Sequence, residues 1–169
     1  SVAIDADGDY IVTWTQYDWV LDPETGDHIL DTETNQPAFE ANVYMRRFNA
    51  AGQPLPNGFA QSTAPMLVNT FGTPDFINRS IDRTKLPTDQ KWSDVAVDAD
   101  GDFVITWSSY SQEDNGQMGT GYGVFARRFD SSGQPLAAEF QVNVTTEGNQ
   151  MLASVDMDNY GGFVVAAKS

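Results

Sequence analysis

Val95-Ala96-Val97-Asp98-Ala99-Asp100-Gly101-Asp102-Phe103-Val104-Ile105-Thr106-Trp107 sets two runs of β-branched and aromatic residues on either side of an Asp-Gly step. Such side chains suit a pleated, half-buried surface, and Asp-Gly supplies the positive φ of a tight turn. The stretch predicts a β-hairpin. Beyond a Gly-rich loop over 114–123, Val124-Phe125-Ala126-Arg127-Arg128-Phe129 and Glu139-Phe140-Gln141-Val142-Asn143-Val144 bracket Asp130-Ser131-Ser132-Gly133-Gln134-Pro135, again strand, Gly-bearing turn, strand. Residues 95–144 read as one unit of four antiparallel strands.

Parts of that unit recur on both sides of it. Val2-Ala3-Ile4-Asp5-Ala6-Asp7-Gly8-Asp9-Tyr10-Ile11-Val12-Thr13-Trp14 matches 95–107 position by position, and Val43-Tyr44-Met45-Arg46-Arg47-Phe48-Asn49-Ala50-Ala51-Gly52-Gln53-Pro54-Leu55 matches 124–136. A weaker copy, Val155-Asp156-Met157-Asp158-Asn159-Tyr160-Gly161-Gly162-Phe163-Val164-Val165, aligns its Gly-Phe step with Asp102-Phe103. Self-similarity of this kind marks a repeat architecture. The organisation expected is a first β-repeat over 1–70 carrying an insertion at about 18–40, an inserted loop over 71–92, a second repeat over 93–145, and a half repeat, a single hairpin, over 154–169. Asp98 follows Asp5 by 93 residues whereas Phe163 follows Phe103 by only 60, which places the insertions in the first unit. Both insertions are polar and Pro-bearing and read as long surface loops, the usual seat of function.

The 169 residues, 40% hydrophobic, suffice for a core, and no long window carries a helical period. The fold expected is all-β: repeated four-stranded antiparallel sheets, propeller-blade-like or stacked. In the strand from Phe103, Phe103, Ile105 and Trp107 point one way and Val104, Thr106 and Ser108 the other, so apolar groups lie on both faces. A sheet solvated on one side would alternate cleanly; these sheets are expected to be covered on both. In a blade stack the small-residue face of one sheet meets the bulky face of the next. Two and a half units do not close a propeller, so the array is expected to continue, or to be completed head-to-tail by other copies, an arrangement that propagates as a filament when it does not close.

A formal charge of −15 disfavours phosphate backbones and anionic lipid, and no apolar run is long enough to span a membrane, so neither nucleic acid nor membrane insertion is expected. The chain has no cysteine, which removes disulfides and thiolate metal sites. Alternate carboxylates around a Gly turn, Asp5, Asp7, Asp9 and Asp98, Asp100, Asp102, have the chemistry of a Ca²⁺ loop, although the closing Glu of an EF-hand is replaced by a strand. The other reading is a turn in which an Asp oxygen caps backbone amides. Both stay open, so no cofactor is required and Ca²⁺ is a candidate. Because Arg46-Arg47 and Arg127-Arg128 recur at equivalent positions, an architectural role is expected, with Arg47 and Arg128 in structural ion pairs to a repeated Asp such as Asp5 or Asp98. An arginine cluster for a carboxylated sugar is the sharper alternative.

The single histidine, His28, falls in the first insertion, so a triad or multi-His zinc site would have to be built around it. No carboxylate pair is singled out as a glycosidase couple. Tyr17, Trp19, Phe39, Phe71, Phe76 and Trp92 offer either a sugar-stacking platform or packing of the loops onto the sheets. Asn78-Arg79-Ser80 and Asn143-Val144-Thr145 fit the N-glycosylation pattern, and Asn78, in an expected loop, is the better acceptor.

The runs over 95–107, 122–130 and 139–143 resemble the tandem repeats of very large bacterial cell-surface and secreted proteins, which often sit beside hemolysin-type calcium-binding or cadherin-like modules. The resemblance covers both units and the half unit but not the insertions. It implies an extracellular, propeller-like or stacked-blade scaffold without established enzymatic activity. In that family the hairpin turn is often Asp-Gly-Gly, as at Gly161-Gly162 here. The expected function is therefore a non-enzymatic extracellular structural or adhesive module that assembles with further repeats or other copies into a surface array or fibre; a calcium-assisted glycan-binding module and a fragment of a propeller-type glycoside hydrolase are the alternatives.

Overall fold

The computed structural model describes residues 1–22, 24–30, 35–58, 61–70, 89–112, 118–145 and 147–169. Every regular element in them is a β-strand: β1 Val2–Ile4, β2 Tyr10–Trp19, β3 Phe39–Phe48, β4 Met66–Leu67, β5 Gln90–Val97, β6 Phe103–Gln112, β7 Met118–Phe129, β8 Phe140–Gln141, β9 Met151–Met157 and β10 Phe163–Lys168. They form three antiparallel sheets in chain order, β1-β2-β3-β4, β5-β6-β7-β8 and the two-stranded β9-β10. This is the all-β repeat of two four-stranded units and a hairpin.

The insertions are shorter than the sequence implies. β2 and β3 stay paired out to Trp19 opposite Phe39, and bridges between Leu21 and His28 and between Leu30 and Pro37 continue the ribbon into the first insertion. At the second, β5 already begins at Gln90. β7 likewise starts at Met118, inside the expected Gly-rich loop. Glycine lowers strand preference, but a paired neighbour supplies ladder bonds that outweigh it.

The sheets stack face to face. Phe103, Ile105, Trp107, Phe125 and Phe129 of the second sheet pack with Ile11, Val43, Met45 and Val68 of the first, with Val95, Ala3, Met66 and Val97 completing the cluster. From the opposite face of the same sheet, Ala96, Val104 and Ala126 meet Val155, Met157, Phe163 and Val165 of the hairpin. Strand alternation thus divides the second sheet into a bulky face toward the first unit and a small face toward the third. Trp107, Phe103, Phe129, Ile105 and Val104 are fully buried, and each contributes about 1.5–3 kcal/mol by burial.

The first strands of successive units, β1, β5 and β9, lie beside one another. β5 and β9 share a defect at the same repeat position: the register slips between Lys91 and Asp94 and between Ala166 and Lys168, and Trp92 and Leu152 take φ of 55° and 56°. Left-handed non-Gly residues are uncommon. The same bulge in two units is a feature of the repeat.

Candidate functional site

The Asp-rich loops are capped turns, and the same turn occurs five times among the described residues. In each, the first residue's Oδ1 accepts the amides two and four positions on: Asp5 from Asp7 and Asp9 (3.0 and 2.9 Å), Asn49 from Ala51 and Gln53, Asp98 from Asp100 and Asp102 (3.0 Å each), Asp130 from Ser132 and Gln134, and Asp158 from Tyr160 and Gly162. The fourth residue is Gly at positive φ every time: Gly8, Gly52, Gly101, Gly133 and Gly161. The last Asp of the first turn then reaches the second turn of its own unit, where Asp9 accepts the Ala50 amide (3.0 Å) and Asp102 the Ser131 amide (2.8 Å).

That geometry commits one carboxylate oxygen each of Asp5, Asp9, Asp98 and Asp102 to backbone amides. Asp7 and Asp100 are exposed, and no group of three or more acidic or histidine side chains among the described residues is arranged to hold a metal. The arrangement supports the turn reading. Asn49 fills the Asp position in one copy, and an amide oxygen suffices to cap a turn.

The repeated arginines join the units. Arg47 donates from Nη1 to the Pro56 carbonyl (2.8 Å) and from Nη2 to the Ser131 carbonyl of the next unit. The direct ion pair expected of it is not found among the described residues: its bonds go to carbonyls, and no described carboxylate falls within ion-pair distance. Burial draws its pKa down from the usual guanidinium value, while Asp9, Asp130 and Asp5 act in the opposite direction from further off. Arg128 likewise makes no ion pair among the described residues; its guanidinium lies over the Phe163 ring of the hairpin at 5.9 Å. In both cases the side chain reaches across the sheet interface to the next unit. Lys91 with Asp89 (2.6 Å) is the one ion pair among the described residues.

Further joints were not legible in the sequence. Asp94 sits in the second unit's first strand and accepts Ser1 Oγ (2.6 Å) on Oδ1, and Val155 N (3.0 Å) and Ser154 Oγ (3.2 Å) on Oδ2. Ser93 Oγ donates to Thr13 Oγ1, Thr70 N to Glu139 Oε2 and Arg127 Nη1 to the Val68 carbonyl (2.8 Å). Asn69 and Asn143 stand at equivalent positions and accept the Val43 and Val124 amides (2.8 and 2.7 Å). The recurring Val-Asn pairs, Val68-Asn69 and Val142-Asn143, were the available signal for that cap. Asn143 also donates Nδ2 to the Thr145 carbonyl and Gln150 Oε1, so its amide is engaged in the fold. Asn78, the better acceptor by sequence, lies outside the described residues, as do Phe71 and Phe76.

Two clusters depart from the repeat. Asp18 and Glu40 face each other across β2 and β3, with Tyr44 donating to Asp18 Oδ2 (3.0 Å), Gln16 to Oδ1 (2.7 Å) and Asn42 to Glu40 Oε1 (3.1 Å). Glu40 is only 8% exposed and its Oε2 has no partner. Burial pushes its carboxyl above the usual range; the Asn42 hydrogen bond opposes this and the Asp18 charge adds to it. Burial, with Asp18, also pushes the Tyr44 hydroxyl up to about 12, so it stays a donor. The pair is a polar network at the end of the sheet that leaves Glu40 Oε2 unpaired.

The second cluster is aromatic and exposed. Trp19 packs on Phe39 (3.9 Å between centroids) and His28 (4.8 Å), Tyr122 on Trp92 (5.2 Å) and Tyr110 (5.1 Å), and Lys91 lies over the Tyr17 ring (5.3 Å) between the two groups. Tyr17, Trp19, Phe39, Trp92 and Tyr110 are all exposed, so sequence reasoning named four of these rings and missed the tyrosines of the second sheet. Their signal was position: Tyr110 and Tyr122 pair across β6 and β7 at the end where the insertions emerge. No protein-family model matches the chain, and no curated protein matches it significantly.

Proposed function

We propose that this chain is a non-enzymatic structural and adhesive repeat module that works outside the cell, in a surface array or fibre built from further units of the same kind or from other copies. One observation carries the reading: the second sheet is covered on both faces by sheets of its own repeat, through unlike faces that fit one another. The side chains that recur between units support it, because they serve turns and joints. Arg47, Arg127 and Arg128 all reach into a neighbouring unit. Sedimentation velocity and negative-stain microscopy over a concentration series test the reading. Elongated or surface-bound assemblies are expected; a monomer at every concentration that also fails to coat cells displaying it overturns it.

The exposed ring cluster favours a second reading, binding of neutral glycans. Aromatic faces flanked by the Asp89 and Lys91 charges suit sugar stacking, and the net charge of −15 selects against anionic chains. Intrinsic fluorescence titrated with neutral oligosaccharides should show quenching that Trp19→Ala or Trp92→Ala removes.

A further inference from the structure

The open face of the first sheet, the face turned away from the second, carries large apolar and aromatic residues at the positions that the second sheet buries. Tyr10, Val12, Trp14, Tyr44 and Phe48 stand where Phe103, Ile105, Trp107, Phe125 and Phe129 stand in the second unit. The aromatic stacking is already built. Tyr10 lies on Phe48 at 5.0 Å and 13°, matching Phe103 on Phe129 at 4.9 Å and 8°, and Trp14 stacks on Tyr44 at 6.1 Å. Yet Phe103, Ile105, Trp107 and Phe129 are fully buried, while on the open face Val2 and Ile4 remain 63% and 67% exposed and the rings half-buried.

Arg46 supplies an independent observation. Its counterpart Arg127 lies over Phe129 (5.7 Å) and donates across the interface to the Val68 carbonyl, just past the short fourth strand of the preceding sheet. Arg46 keeps the first half of that arrangement, lying over Phe48 at 5.5 Å, but its side chain makes no hydrogen bond among the described residues: nothing takes the place of the Val68 carbonyl that Arg127 Nη1 reaches, and its buried Nε, whose counterpart in Arg127 donates to the Ala137 carbonyl within its own unit (3.4 Å), is unpaired as well. By the repeat, the partner that Arg46 Nη1 lacks is the carbonyl of a neighbouring unit, the position Val68 fills for Arg127.

We infer that the open face of the first sheet is the docking site for one further four-stranded unit of this repeat, which presents its small face and gives Arg46 a carbonyl just past its fourth strand. The inference rests on the structural-module reading above and names the partner. Such a unit carries small or medium residues at the positions of Ala3, Ile11, Thr13, Val43 and Met45, the set that covers the second sheet. The chain's own hairpin does not match. Its outward face is Ser154, Asp156, Val164, Ala166 and Lys168, with Asp156 where Ala3 and Ala96 stand. A carboxylate there would be buried unpaired against the rings. Head-to-tail docking of this hairpin on the open face would set Asp156 against the rings, where a four-stranded unit sets an alanine.

The test places a copy of residues 1–93 directly before Ser1 of the full chain, which reproduces the 93-residue spacing between Asp5 and Asp98. With Trp19→Phe and Trp92→Phe, only Trp14 is open to iodide in the full chain, since Trp107 is fully buried. In the extended chain, with Trp14 of the added copy also changed to Phe, quenching should fall severalfold. Arg46→Ala in the original copy should then lower the unfolding midpoint of the extended chain but leave that of the single chain nearly unchanged. A role confined to its own sheet would lower both equally and overturn the assignment. Unchanged quenching in the extended chain overturns the inference. So does protection of Trp14 in the single chain that grows with concentration and is lost on Val164→Asp, because the occupant would then be the hairpin of a second copy. Assemblies that form while Trp14 stays open would leave the structural-module reading standing without this site; a protected Trp14 in a chain that never assembles or adheres would do the reverse.

Discussion

At the scale of single residues, one Asp oxygen organises each turn and one Gly permits it. Asp98→Ala removes the acceptor for two amides and should cost about 1–2 kcal/mol, whereas Asp98→Asn keeps a carbonyl oxygen in place, as Asn49 does naturally, and should cost little. Denaturant unfolding of the two variants separates the turn role from metal binding, because a calcium site would be damaged by both. Calcium should accordingly shift the midpoint no more than magnesium at equal ionic strength. Gly101→Ala imposes φ of +85° on a residue with a Cβ, which would also lie 3.1 Å from Ser131 Cβ, and should cost about 1–2 kcal/mol. The Asp-Gly pattern showed that a turn was present and where it lay. It could not show that Asp9 and Asp102 span two turns, since their partners Ala50 and Ser131 are 41 and 29 residues away and carry no chemical signature of the contact.

At the scale of elements, the strands were legible because their alternation is local, and the joints between sheets were not. Asp94 precedes a predicted strand and looks like any exposed Asp of an acidic chain, yet it ties β5 to β9 and to Ser1. Burial works to raise its pKa, but the hydrogen bonds from Ser1, Val155, Val95 and Ser154 outweigh it and hold the carboxyl below the usual range. A depressed carboxyl contributes stability that is present above its unfolded pKa and lost as pH falls through its folded one. β9 amides should therefore lose exchange protection as pH drops below the ordinary Asp range, and Asp94→Asn should flatten that dependence. Glu40 has the opposite sign. Its carboxyl is raised, so the stability tied to its neutral form is present below the ordinary Glu pKa and lost as pH rises through the folded value. Glu40→Gln should gain on the parent chain progressively above the ordinary Glu range, read as the difference in unfolding midpoint at pH 4 and pH 8. Burial of Glu40 follows from the ribbon that prolongs β2 and β3 to Trp19 and Phe39, where the sequence reads as an insertion; that is why the network escaped a reading by strand pattern alone.

At the scale of the whole molecule, the apolar clusters among the described residues join each sheet to its neighbours in the chain, so stability should divide into sheet terms and interface terms. The hairpin is the weakest member, since two strands are marginal alone and its outward face is polar. Its docking rests on Val155, Met157, Phe163 and Val165 meeting Ala96, Val104 and Ala126, together with the Asp94 joint. Val155 is buried at that contact and belongs to the hairpin, so Val155→Asp sets an unpaired charge in the second interface while every residue of the first two sheets stays native. The bulky face of the second sheet, with Trp107 donating to Gln90 at 2.7 Å, points the other way and should hold. The variant should therefore show amides over 151–168 exchanging as an open segment while the iodide-inaccessible emission of Trp107 is unchanged. If Trp107 became accessible in the same transition, the two interfaces would be one cooperative core, and the division of this fold into stacked, nearest-neighbour units would be wrong.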